Sequence, residues 1–200
     1  MTSLRKPSVN LSAVTVLRLA LILLSAVGSV TAAEPAKPQE VILTSTLKGQ
    51  TRSLVIALPA NFTYTLSKGL AKGIKAYSPD QRVCMQISLL PPGGNPPRTA
   101  EELEARLRES GEAFAPDSVE GKVITYPIKL ANGIGCGATY TDKSEVGKPA
   151  PKGPEHYKLL TSIFVRVGES VAVCTLLSDS KDQPDHIAAL KMIESLREGK

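Results

Sequence analysis

The sequence predicts an α+β fold: an antiparallel sheet of about six to seven strands with helices packed on it. Three observations carry this. Runs of β-branched and alternating apolar residues recur between short turn signals. Two stretches, near 99–114 and 182–200, have helical spacing instead. These helices follow groups of strands rather than alternating with each one, which is the order of an α+β chain and not of a parallel α/β sheet.

The first 33 residues stand apart as a signal peptide. Arg5 and Lys6 precede an apolar run, "LALILLSAVGSV", and no acidic residue occurs before Glu34. Val30 and Ala32 are small residues suited to cleavage after Ala32, and cleavage after Ala33 is almost equally suited. The run has 12 residues, a helix of only about 18 Å, whereas spanning a bilayer takes about 20 residues. The expected mature chain is therefore periplasmic or secreted and soluble, with no stable membrane insertion. Three of the 24 Lys/Arg residues fall before position 34 and none of the 19 acids, so the net charge drops from +5 to +2 on cleavage. With scattered basic residues and eight Phe and Tyr in all, nucleic-acid binding is not expected.

Residues 34–40 read as a flexible leader and 41–200 as a single domain, long enough to bury a core. "VILTSTL" and "RSLVIALP" read as strands around a "KGQT" turn. "NFTYTLSKGLAKG" reads as a loop or a weak short helix, and Asn61-Phe62-Thr63 matches a glycosylation acceptor. "IKAYSPDQRVCMQISLL" reads as two strands around Ser-Pro-Asp, with Val83, Met85, Ile87 and Leu89 on the core face. "PPGGNPPR" at 91–98 breaks regular structure. In "TAEELEARLRESGEAF", Thr99 and Glu102 form a capping box, Leu103, Leu107 and Phe114 mark the apolar face, and Glu104 precedes Arg108 at the i, i+4 spacing.

"KVITYPIKLANGIGCGATYTD" reads as a hairpin turning at Asn132-Gly133 in a type I′ turn, with Pro127 marking an edge or a bulge. Residues 143–154 form a long polar loop. A second hairpin turns at Gly168-Glu169. Its second arm, from Val171 to Leu177, is apolar on both faces and so predicts a central strand covered by helices. The closing segment predicts a helix with Asp182 as N-cap, Pro184 in its first turn, and Ile187, Leu190, Ile193 and Leu196 facing inward.

The opening "SLVIALPANFTY", the middle helix and the closing "AALKMIESLR", in this element order, resemble the PsbP/Mog1-like superfamily, including exported bacterial proteins of the DcrB type. The resemblance spans 54–197. It implies an antiparallel sheet with packed helices and an interaction module; it brings no catalytic residue.

Chemistry in the sequence turns on three cysteines, Cys84, Cys136 and Cys174, and two histidines, His156 and His186. They are far apart in sequence, without the paired spacing of a zinc site or a C-x-x-C redox motif. Cys136 with His156 is one arrangement for a thiol-dependent enzyme, because His156 begins a strand beside that of Cys136. Against it, Cys136 shares a face with Ile134, Ala138 and Tyr140, which reads as core; Gly135 and Gly137 signal a bulge or a close approach. In an oxidising compartment one disulfide can form. Cys136 and Cys174 lie two strand spacings apart by this reading, so a bridge involves Cys84 with either of them. His156 and His186 read as surface or helix-end residues, and Glu101, Glu102 and Glu104 as a solvated face. No metal, cofactor or catalytic residue is expected. The reading is a non-catalytic accessory module that binds another envelope or secreted protein, or a small ligand, through loops 91–98 and 143–154.

Overall fold

A computed structural model describes residues 37–67, 72–93, 95–149 and 157–199. The chain divides into Met1–Ala36 and Lys37–Lys200. The expected signal peptide and the start of the leader lie outside the described residues.

The α+β expectation holds. A seven-stranded antiparallel sheet runs in the order β3-β4-β5-β9-β8-β7-β6. Its strands are β3 (Thr63–Leu66), β4 (Lys72–Tyr77), β5 (Val83–Leu89), β6 (Thr125–Ile128), β7 (Ile134–Thr141), β8 (Leu159–Val167) and β9 (Ser170–Ser178). A second sheet, which the sequence reading did not separate, comprises β1 (Gln39–Leu47), β2 (Gln50–Leu58) and β10 (Arg197–Glu198) in the order β1-β2-β10. The β1–β2 turn is Lys48-Gly49, both at positive φ (50° and 78°), as a two-residue hairpin connection requires.

The smaller sheet and α2 (Pro184–Glu194) cover the inner face of the large sheet. Val83, Met85, Ile87 and Leu89 point there as predicted, beside Ala172, Cys174, Leu176, Ile163 and Val165, and meet Val41, Leu43, Leu54, Ile56 and Leu58 of the small sheet. On the outer face, α1 (Ala100–Gly111) packs Leu103 and Leu107 onto Cys136, Ala138 and Tyr140. Thr99 caps α1 by accepting from the Glu102 N–H. Glu102 reaches back to the Arg98 N–H rather than that of Thr99, so the box closes one residue early. Glu104 and Arg108 pair as expected.

Several local expectations are corrected. Segment 61–67 contains β3, not a loop or helix: its Thr-Tyr-Thr run pairs with β4, and Tyr64 packs on the core. Asn132 and Gly133 are not at positive φ; β6 and β7 join through a longer loop held to the end of α2 by Ala131 N–H donating to the Glu194 carbonyl. Gln183, not Asp182, is the N-cap of α2, with Pro184 first in the helix. The inward residues of α2 are His186, Ala189, Met192 and Ile193, while Ile187 is 44% exposed. Phe114 lies past the end of α1 and is exposed. β9 is central, but its outer face, with Val173, Thr175 and Leu177, is only half-buried. That opening on the outer face makes room for a site.

No helix among the described residues is long and apolar enough to cross a membrane.

Candidate functional site

Segment 91–98 builds the main cleft. Leu90 N–H donates to the Val171 carbonyl at 2.9 Å, extending the β5–β9 ladder by one residue before the prolines end it. Gly93 then takes φ 114°, a turn that a side chain disfavours. Arg166 Nη1 donates to the Pro97 carbonyl at 3.2 Å and pins the far end. Pro92 and Pro97 are buried. The segment is thereby tied to the sheet at both ends.

Beneath it lies a cleft of about 480 Å³, within the usual range of small-molecule sites. Its apolar walls are Leu90, Pro91, Pro96, Pro97, Phe164 and Val173, and two arginines line it as well, Arg52 from β2 and Arg106 from α1. Arg52 Nη1 is buried and has no hydrogen-bond partner. Arg106 has a long pairing with exposed Glu109 at 3.7 Å. The same segment also walls depressions against Leu47, Lys48 and Gln50, and against Glu102 and Glu109.

A second cleft, about 310 Å³, adjoins the start of loop 143–154. Phe114, Tyr140 and Tyr157 line it with Leu160 and Leu177, and Asp117 and Asp142 sit among them. The Phe114 and Tyr140 rings lie 5.6 Å apart, tilted by 45°. Lys143 Nζ donates to the Pro116 carbonyl at 2.9 Å and ties the loop to the short turn that follows α1. Residues 150–154 of the loop lie outside the described residues.

The cysteines are corrected on one point: all three are free and buried. Register explains it. Ile87 faces Cys174 across β5–β9, which puts Cys84, three residues away, on the opposite face. Cys136 faces Phe164, and Phe164 faces Val173, so Cys136 is also on the opposite face from Cys174. Cys84 and Cys136 share the outer face but are separated by β9 and β8, about 14 Å at the usual strand spacing and well beyond the ~7 Å limit for a bridge. Burial pushes the Cys136 thiol up to about 11, with Glu104 adding to it, and Cys174 up to about 12. Burial also raises Cys84, against the pull of Lys75. Neutral thiols of this kind are poor nucleophiles. His156 lies outside the described residues. Gly135 and Gly137 mark a close approach, as expected: a Cβ on Gly137 would stand 3.0 Å from the Tyr126 ring.

His186 is not at the surface. It is 3% exposed, and its Nδ1 shares a 2.8 Å hydrogen bond with Ser178 Oγ. Sequence separation hid this pair; the period of α2, once its start is set at Pro184, would place His186 with Ala189 and Ile193. Ser178 is 0% exposed, so no substrate reaches its hydroxyl. Burial first, and then Lys181, hold the imidazole below its usual 6.5, while Asp182 opposes them. The unfolded chain therefore takes up a proton below about pH 6.5 more readily than the native one. Stability is full above that pH and falls as the pH drops toward the native value. Urea midpoints at about pH 7.5 and about pH 5.5 should show this loss, and His186→Gln should shrink it. An equal loss in the variant would refute the assignment.

Among the described residues, no group of three His, Cys, Asp or Glu could hold a metal ion. Asp179, only 5% exposed at its side chain, pairs with Arg82 at 3.0 Å, and its Oδ1 is buried without a hydrogen-bond partner.

No known family matches the sequence, and no curated protein matches it. Among solved structures, the chain is similar to the solution structure of cyanobacterial PsbP (CyanoP) from Synechocystis sp. PCC 6803. That protein is 14% identical, with a TM-score of 0.42 over 86% of this chain and 98% of that one. A similarity at this level says nothing of what this chain binds.

Proposed function

We propose that this chain is an exported, non-catalytic accessory module that binds an envelope or secreted protein, or a small ligand, at the cleft under segment 91–98. The observation that carries this reading is the cleft itself: a proline-stiffened segment held at both ends above half-buried Phe164 and Val173. Prolines lower the entropy cost of ordering such a wall on a partner. Export rests on the N-terminal pattern of charge, apolar run and small residues.

A photo-crosslinking side chain at Asn95, introduced in the native host, should give adducts that the same group at exposed Ile187 does not. Native mass spectrometry of the purified protein covers the case of a small ligand. Equal crosslinking at both positions, with no bound mass, would overturn the reading. The purified protein should also lack its first 32 or 33 residues by mass; an intact N-terminus would remove the case for export.

The thiol-dependent alternative has a direct test. Native protein at neutral pH should label at Cys84, Cys136 and Cys174 only after denaturant is added. Fast labelling of native Cys136 would restore the enzyme reading.

A further inference from the structure

We infer that the cleft under segment 91–98 takes a small amphiphilic monocarboxylate, its head on Arg52 and its apolar body along Leu90, Phe164 and Val173. This deepens the binding reading above and rests on it.

The first argument is the orphaned donor. A guanidinium nitrogen out of water without an acceptor is costly, and charge-assisted bonds are among the strongest it can make. Arg52 Nη1 is in that state, on a side chain that lines the cleft. A turn of the guanidinium toward the cleft lets an anion complete it. Arg52 extends from the inward face of β2, opposite Ser45, which is 2% exposed, so its stem is held by the sandwich.

Charge count sets the valence. Arg106 faces the same cleft but already has Glu109 3.7 Å away. Arg166, at the pinned end of the segment, pairs with Glu169 at 2.9 Å. Of the two cations that line the cleft, Arg52 alone has no carboxylate beside it, which matches a monoanion. A phosphate dianion would want several donors and polar walls. Here the remaining walls are aliphatic, aromatic and prolyl, with Asn95 as a polar exception.

Decanoate, decanol and inorganic phosphate separate head from body. Titrated calorimetrically into the wild-type protein, decanoate should bind at least about tenfold tighter than decanol, and added salt should weaken it. Inorganic phosphate should show no saturable binding. Arg52→Met keeps the stem and removes the charge; it should raise the decanoate Kd about tenfold while leaving decanol within about twofold. Arg106→Met should have a smaller effect of the same sign. Equal binding of decanoate and decanol to wild type, displacement of decanoate by phosphate, or no decanoate binding each overturns the inference. The wild-type comparison decides the matter even where Arg52→Met does not fold. Adducts at Asn95 without decanoate binding would leave the binding module standing and remove its proposed ligand class.

Discussion

Replacing Ile87 with alanine is expected to cost about 3–4 kcal/mol of stability, near the upper part of the range for buried large-to-small changes. Ile87 is 0% exposed. It sits in a row that crosses four strands on the inner face: Ile74 of β4, Ile87 of β5, Cys174 of β9 and Ile163 of β8 stand at matched positions. α2 and β1 close over β5 from above. The cost of a cavity depends on how far its surroundings can collapse. Here the lining is a hydrogen-bonded sheet below and packed elements above, so little collapse is available. Ile87→Val should cost only about 1 kcal/mol by the same reasoning. Ile42, 61% exposed on β1, provides the contrast: its alanine variant should stay within about 0.5 kcal/mol of wild type. Urea denaturation of the three variants checks the series. A value for Ile87→Ala below that for Ile87→Val would show that the inner face is not packed as described.

The inner face was legible in the sequence because it follows strict alternation. Val83, Met85, Ile87 and Leu89 were assigned from period two alone. The opposite pattern, apolar on both faces, places β9 at the centre. What alternation does not carry is which elements cover each face. The split into two sheets depends on β2 leaving the large sheet to pair with β1 and β10, a tertiary choice with no local signature. β3 carries no such signal, because four residues, Thr-Tyr-Thr-Leu, are too short a window for periodicity; pairing with β4 decides it.

At the site, segment 91–98 was found because prolines announce irregular backbone, and irregular segments of that length often bind. Arg52 was not. In the sequence it is one basic residue in a strand, two before Leu54, and nothing local shows that its head leaves the sandwich and enters the cleft. The two possible pairings of Cys84 likewise survived in the sequence because spacing alone does not fix faces. Register does, and it separates all three thiols.

Gly133→Ala is the second large effect expected, about 2–3 kcal/mol, by overpacking rather than by a cavity. Gly133 is not at positive φ, so alanine meets no conformational penalty there. The obstacle is contact: a Cβ at Gly133 would lie 2.2 Å from the Arg166 carbonyl oxygen and 3.3 Å from Leu130 Cδ1. A flexible side chain could turn away, but a backbone oxygen cannot. Arg166 is also fixed on both sides, facing Ile134 on β7 and Val171 on β9. The loop must lift or β8 must bend. Gly147→Ala separates the two kinds of cost, since Gly147 has φ 75° and open space around it. It should lose about 1 kcal/mol from backbone conformation alone. The expected order, Gly133→Ala worse than Gly147→Ala, is read from urea midpoints, and the reverse order would refute the contact argument. Arg166 also holds the Pro97 carbonyl. Bending β8 at that residue therefore loosens one end of segment 91–98, and Gly133→Ala should weaken decanoate binding although Gly133 is not part of the cleft wall. Gly147→Ala should leave that binding unchanged.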